Sequence, residues 1–131
     1  MRLLLDTHTA IWALTTPSRL PPRIQALISD AANDVVVSTA SVWEIAIKHP
    51  LRRGDPSDMP ISGLEALQYF SAAGYQILPI TAAHAVAVDN LPPLHTDPFD
   101  RILVAQALTE PLRLITHDAR LTRYSETIIS F

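Results

Sequence analysis

The stretch Leu3-Leu4-Leu5-Asp6-Thr7 lies near the start of the chain and sets the class of fold. Three consecutive leucines that end at an acid and a hydroxyl residue form a short, continuous apolar run. Such a run is typical of a strand buried on both faces, whereas a half-exposed strand would alternate apolar and polar residues. The stretch therefore predicts a fully buried strand with Asp6 at its carboxyl end.

Four more short apolar segments of this kind follow, at 35–37, 75–80, 112–115 and 127–131. The segment at 75–80 is the weakest strand candidate among them. Segments with helical spacing of apolar residues lie between them: 9–14, 23–32, 41–48, 64–72, 82–88 and 99–108. Alternating short strands and helices predict an α/β fold, a three-layer α/β/α sandwich around a mainly parallel sheet of about five strands.

The composition fits one folded domain over residues 1–131, because 48% of the residues are hydrophobic. No apolar run approaches the roughly 20 residues that span a bilayer, and no signal peptide is evident, so we expect a cytoplasmic protein that does not enter the membrane. The chain contains no cysteine, so a metal site would use oxygen or imidazole ligands, which suit Mg²⁺ or Mn²⁺. The net charge of −3 argues against a broad basic surface for nucleic acid.

The string His95-Thr96-Asp97-Pro98-Phe99-Asp100-Arg101 predicts a helix start. Asp97 suits the N-cap position and Pro98 the first helical position, while Asp100 falls in the first turn. Asp100 is then either a favourable charge near the helix dipole or a functional group.

Four acids from separate segments are candidates for one crevice, because ligands of open parallel sheets bind beyond the carboxyl ends of the strands. They are Asp6, Glu44, Asp100 and Asp118. Asp6 fits a helix cap and a metal ligand equally well, and Asp118 fits a helix cap slightly better than a ligand. Glu44 lies in a mostly apolar helix, where an unpartnered carboxylate rarely persists. Clustered carboxylates repel one another unless a cation is present, so the set predicts a divalent-metal site suited to phosphodiester hydrolysis.

The histidines show no zinc-enzyme spacing, so we expect surface or packing roles for most of them. His95 and His117 are exceptions, because both lie close in sequence to the candidate acids. Trp12 and Trp43 are expected to be core or interface anchors.

Four segments together resemble the PIN domain and, within it, the VapC-type ribonuclease toxins of bacterial toxin-antitoxin pairs. They are Leu3-Leu4-Leu5-Asp6-Thr7-His8, Ser41-Val42-Trp43-Glu44-Ile45-Ala46-Ile47-Lys48, the string from His95 to Arg101 with the following Ile-Leu-Val-Ala-Gln-Ala, and Leu114-Ile115-Thr116-His117-Asp118. The resemblance spans nearly the whole chain, in the order and spacing of the family.

The resemblance implies a Mg²⁺- or Mn²⁺-dependent RNA endonuclease that forms a homodimer and is held inactive by a VapB-like antitoxin protein. The acidic quartet of the family maps onto the four candidate acids, with Asp6 and Asp100 as the principal metal ligands and Asp97 as a neighbour. Small hydroxyl residues near the family's site correspond to Ser38 or Thr39 and to Thr116. The chain departs from the pattern in the loop at 50–59, where relatives often contact antitoxin or substrate. We also expect Lys48 or Arg101 to orient phosphates.

Two other functions are compatible with parts of the sequence. A receiver-like phosphoacceptor domain also places an acid after a parallel strand, but it requires a lysine after a late strand, and here the late strands end at Thr116-His117-Asp118 and at Phe131. The second alternative is a non-catalytic binding module that is stabilised by a metal. Incubation with a phosphodonor tests the first alternative, and RNA turnover with and without metal tests the second.

Overall fold

The computed structural model describes all 131 residues and is built on a five-stranded sheet in the order β3-β2-β1-β4-β5. Every neighbouring pair of strands is parallel. The strands are β1 (Arg2–Leu5), β2 (Asp34–Ser38), β3 (Gln76–Leu78), β4 (Arg113–Thr116) and β5 (Ile129–Ser130). The predicted sheet is confirmed, although β3 and β5 are shorter than the segments that predicted them.

Six α-helices connect the strands: α1 (Thr7–Thr15), α2 (Pro22–Ser29), α3 (Thr39–Lys48), α4 (Gly63–Ala72), α5 (Ala82–Ala87) and α6 (Pro98–Thr109). A short 3₁₀ helix at Ala119–Tyr124 joins β4 to β5. The segment predicted at 23–32 ends early, at Ser29, because the Asp30 carboxylate accepts the Ala32 backbone N–H (2.9 Å) and closes a turn. No helix is long and apolar enough to cross a membrane.

The core forms a layer on each face of the sheet. Leu3 and Leu5 point into one layer, which contains Ile24 of α2 and Phe70 of α4. Leu4 points into the other layer, which contains residues of α6. All three leucines are fully buried, so β1 is covered on both faces as its sequence predicts.

The position of β1 places Asp6 at the middle of the sheet's carboxyl edge. The chain first builds outward from β1 through β2 to β3, and then returns to add β4 and β5 on the other side of β1. Parallel sheets bind ligands at such a reversal of strand order, because the connections there diverge to opposite faces and leave a crevice. Asp6 follows β1 at this crevice, and Thr116 is the last residue of β4.

Candidate active site

A polar cleft of about 170 Å³ opens at this edge, and we call it the acidic cleft. No apolar residue lines it, and all four candidate acids do. Its lining consists of Asp6, Thr7, His8, Glu44, Lys48, Asp97, Asp100, His117 and Asp118. The structure therefore brings together acids that are dispersed over most of the sequence.

Asp6 both caps a helix and faces the cleft. Its Oδ1 accepts the backbone N–H of Thr9 (2.9 Å), which caps α1. Its Oδ2 accepts the hydroxyl of Thr116 (2.7 Å) and the backbone N–H of His117 (3.0 Å), which belong to the end of β4 and the loop after it. The carboxylate is 7% exposed and held from two elements, so its orientation is fixed before any ligand binds.

Glu44 is 5% exposed and reaches the cleft from α3. Its Oε1 accepts the hydroxyl of Thr7 (2.6 Å), and its Oε2 accepts Lys48 Nζ (2.5 Å). Thr7 Oγ1 also lies 3.0 Å from Ser41 Oγ. The sequence did not identify Thr7 as a site residue, although its position directly after Asp6 was a usable signal. Lys48 was a candidate for contact with phosphate, and in the structure it forms an ion pair with Glu44.

Asp97 is the N-cap of α6, as predicted, because its Oδ1 accepts the backbone N–H groups of Phe99 (2.8 Å) and Asp100 (3.1 Å). This cap determines where α6 begins and therefore where Asp100 points. Asp100 Oδ2 lies 2.8 Å from His95 Nε2, which is also 3.7 Å from Asp118 Oδ2.

Asp118 caps the 3₁₀ helix after β4 by accepting the backbone N–H of Arg120 (3.0 Å). The Arg120 guanidinium also binds this carboxylate through two nitrogens, at 2.9 Å to Oδ1 and 2.7 Å to Oδ2. Asp118 thus acts as a cap and also lines the cleft.

Two of the acids differ in electrostatic environment. The pKa of Asp100 is raised from its ordinary value of 3.8 to about 6, mainly by burial and to a smaller extent by the charges of Asp97 and Asp6, while the hydrogen bond with His95 acts to lower it. Hydrogen bonds from Arg120 lower the pKa of Asp118. Asp97 and Asp6 contribute to the rise in the pKa of Asp100 through charge repulsion, and a bound cation would relieve that repulsion.

The donor set suits a hard divalent cation. One ligand atom from each of His95, Asp100 and Asp118 lies within 4.8 Å of the others, and Asp6 and Glu44 line the same cleft. The carboxylate oxygens of this set are the ligands that Mg²⁺ and Mn²⁺ prefer. The contact of His95 with two acids was not evident from sequence, because the contact with Asp118 depends on the fold.

The other candidate residues lie outside the cleft. Thr116 acts through its hydrogen bond to Asp6. Ser38 caps α3 by accepting the Ala40 N–H (3.0 Å), and Thr39 Oγ1 accepts the Ile80 N–H (3.3 Å), so neither hydroxyl lines the cleft. The Arg101 guanidinium donates instead to backbone carbonyls before α6 and to the Tyr124 hydroxyl (3.0 Å).

Comparison with known proteins assigns this architecture. The family model of the PIN domain matches residues 3–127. The chain belongs to the PIN domain family. The resemblance inferred from the sequence is thereby confirmed, and the PIN fold accounts for the parallel sheet with an acidic cleft at its carboxyl edge.

Among sequence relatives of this PIN domain, Ribonuclease VapC22 of Mycobacterium tuberculosis (strain ATCC 25618 / H37Rv) is 33% identical over 120 residues, covering 91% of this chain and 88% of the relative. Among solved structures, VapBC2 from Rickettsia felis bound to a DNA fragment from their promoter aligns with a TM-score of 0.69 at 16% identity, covering 100% of this chain and 98% of that one. A toxin-antitoxin complex from Klebsiella pneumoniae aligns with a TM-score of 0.60 at 18% identity, covering 97% and 95% of the two chains. These structures share the PIN fold.

Proposed function

We propose that this PIN domain, spanning residues 1–131, is a Mg²⁺- or Mn²⁺-dependent endoribonuclease and the toxin of a VapBC-type pair. The observation that carries the proposal is the convergence of Asp6, Glu44, Asp100 and Asp118 on one cleft that contains no apolar residue. Family membership and the relative named as a ribonuclease support the same activity. We also propose a cytoplasmic location, where the protein would meet an RNA substrate.

Asp6 and Asp100 are the principal residues that would hold the metal, with Glu44, Asp118 and His95 beside them. A bound divalent ion would neutralise the carboxylates, lower the pKa of water and stabilise charge that develops on the phosphate. The side chains and backbone groups around the acids differ in what they contribute to this site.

The chain's own residues orient the acids and limit their charge. Thr116 and the His117 N–H hold Asp6 in place, so the carboxylate does not reorganise when a ligand binds. Lys48 neutralises Glu44, and Arg120 neutralises Asp118. The carboxylates of Asp6 and Asp100 thereby remain free of an arginine or lysine partner, which supports their role as the main ligands. Lys48, exposed over 44% of its side chain, also lies where it can contact a substrate phosphate.

A VapB-like antitoxin and a second copy of the chain are the proposed protein partners. The toxin-antitoxin complexes among the structural neighbours support the first partner. Several large apolar side chains on and after α3 and on α4 are exposed, and exposed apolar clusters of this kind typically mark protein interfaces. They are Trp43, Ile47, Leu51, Leu64 and Leu67.

The proposal is tested by incubating the purified chain with structured RNA in Mg²⁺, Mn²⁺ or EDTA. We expect cleavage only with a divalent ion, and we expect Asp6→Asn and Asp100→Asn to abolish it while circular dichroism shows an intact fold. Asp89→Asn is the matched control, because Asp89 is exposed in a turn outside the cleft. Full activity of both cleft variants would refute the assignment of the acids.

The same preparation addresses the two alternatives. Absence of RNA turnover with either metal, combined with metal-dependent stabilisation, would instead support a non-catalytic binding module. A mass increase of one phosphoryl group after incubation with a small phosphodonor would support a receiver-like domain.

A further inference from the structure

A second cavity, which encloses about 350 Å³, adjoins the acidic cleft, and we call it the α1 groove. One wall consists of α1 and the turn after it, and the other is the segment at 56–60. His8, exposed on the first turn of α1, lines both the groove and the acidic cleft. A linear polymer with one backbone bond in the acidic cleft can therefore continue past His8 into the groove.

The groove presents three kinds of surface. Hydroxyl groups come from Thr15, Thr16 and Ser57, a cation comes from Arg19, and the buried side chain of Met59 contributes to an apolar wall. A ribonucleotide has the matching parts, namely sugar hydroxyls, an anionic phosphate and an apolar base face. The volume also falls within the roughly 300–1,000 Å³ typical of small-ligand sites.

Arg19 is the one arginine that lines the groove, and its charge is not paired with a carboxylate. Lys48 and Arg120, the cations at the acidic cleft, are bound to acids at 2.5 Å and 2.7 Å. The Arg19 guanidinium instead lies 4.4 Å above the Trp12 ring. This packing orients the guanidinium and leaves its N–H groups available to an anion.

Asp58, the acid in the groove wall, does not form an ion pair with Arg19. Asp58 Oδ2 accepts the backbone N–H groups of Gly54 (2.8 Å) and Asp55 (2.9 Å), and its Oδ1 accepts that of Arg53 (3.2 Å). These bonds hold the carboxylate against its own loop. The acids of the cleft would repel the phosphate next to the scissile bond, and Arg19 in the adjoining groove would attract it.

We propose that the α1 groove binds the RNA nucleotide next to the scissile phosphodiester, with Arg19 as the residue that contacts its phosphate. This inference rests on the proposed ribonuclease function and assigns a substrate-binding residue outside the acidic quartet. Thr15 and Ser57 border the position of the sugar, and His8 marks the junction with the reacting bond.

The test is fluorescence anisotropy of a 5′-fluorescein oligouridylate of about 12 nucleotides with the full chain in EDTA, over a range of salt concentrations. We expect Arg19→Gln to weaken binding about five- to tenfold, the size of one lost charge-assisted contact. The slope of log affinity against log salt should fall by about 0.7, as expected for one phosphate contact on a single strand. Arg2→Gln is the control and should stay within about twofold of wild type, because Arg2 is exposed at the opposite edge of the sheet.

A second variant tests the groove by filling part of its volume. Thr15→Phe adds an aromatic ring to an exposed position in the groove wall, and we expect it and Arg19→Gln to raise KM for RNA cleavage with kcat unchanged. Thermal melts confirm that each variant is folded. Equal affinity and salt slope for Arg19→Gln and Arg2→Gln would overturn the inference, as would wild-type KM in both groove variants.

Failure of the inference and failure of the proposed function have different outcomes. If the wild-type chain cleaves RNA while both groove variants keep its KM, the groove assignment fails and the ribonuclease proposal stands. If the oligonucleotide binds through Arg19 in EDTA but no RNA is cleaved with Mg²⁺ or Mn²⁺, the ribonuclease proposal fails and the groove assignment stands.

Discussion

Asp100 is expected to destabilise the metal-free protein, so replacing it should raise the melting temperature. A pKa raised from 3.8 to about 6 means that the ionised carboxylate is disfavoured in the folded state by about 3 kcal/mol at neutral pH, at about 1.36 kcal/mol per pH unit. A quarter of the side chain is exposed, so solvent screening reduces this to about 1–2 kcal/mol. Asp100→Asn removes the charge, and its amide oxygen can still accept from His95.

The pH dependence follows from the sign of this change. Below about pH 4 the carboxyl is protonated in both the folded and unfolded chains, and its burial has no electrostatic cost. As the pH rises from about 4 to 6, the unfolded chain releases the proton first, so the wild type loses stability relative to the variant. Above the folded pKa of about 6 the difference is constant.

The assay is a thermal melt of both proteins in EDTA at several pH values. For a chain of this length, about 1–2 kcal/mol corresponds to a melting temperature about 3–8 °C higher for Asp100→Asn at pH 7.5, and no gain at pH 4. Adding Mg²⁺ should stabilise the wild type more than the variant and reduce the difference. Asp89→Asn, which removes an exposed charge outside the cleft, should melt with the wild type. A melting temperature for Asp100→Asn at or below the wild type at pH 7.5 would refute the electrostatic reasoning.

Three further predictions concern the supports of the site. Thr116→Val removes the 2.7 Å hydrogen bond to the buried carboxylate at the end of β1, and we expect unfolding by urea to show a loss of about 1–3 kcal/mol, with cleavage activity reduced as well. Gly63→Ala would place a Cβ 2.9 Å from that of Ala46, so it should cost about 1–3 kcal/mol. Adding Ala46→Gly should restore only part of the lost melting temperature, because glycine inside α3 itself costs about 1 kcal/mol. Arg120→Gln frees Asp118 from its cation, so the Mg²⁺ concentration at half-maximal activity should fall about two- to threefold; an increase would indicate that Arg120 assists metal binding.

The sequence predicted features that depend on local pattern. The strand at Leu3–Leu5 was recognisable because burial on both faces requires a continuous apolar run, and the start of α6 was recognisable because Asp97 and Pro98 fit the cap and the first helical position. Of the two roles open for Asp6, the structure shows the helix cap, and the role as a metal ligand stays a prediction. One oxygen caps α1, and the other accepts from Thr116, a contact across 110 positions that no local pattern contains.

Two residues near Asp100 show why adjacency in sequence misleads. Arg101 follows Asp100 directly, but successive residues on a helix are about 100° apart, so its side chain leaves the cleft and donates to the preceding loop. His95 lies five positions earlier in an extended segment, and the chain returns its ring to the carboxylate of Asp100. A search for zinc-type histidine spacing cannot find such a contact, since the partner ligands are acids from two other positions.

The bond between Asp6 and Thr116 also has a consequence for synthesis of the protein on the ribosome. The hydroxyl that orients Asp6 is translated 110 positions after it, and Asp118 follows that hydroxyl. A nascent chain that has not reached these residues lacks both the hydroxyl that donates to Asp6 and the carboxylate of Asp118. Fragments that end before Thr116 are therefore expected to be harmless to the cell that makes them, and cleavage activity should appear only after Asp118 has been translated.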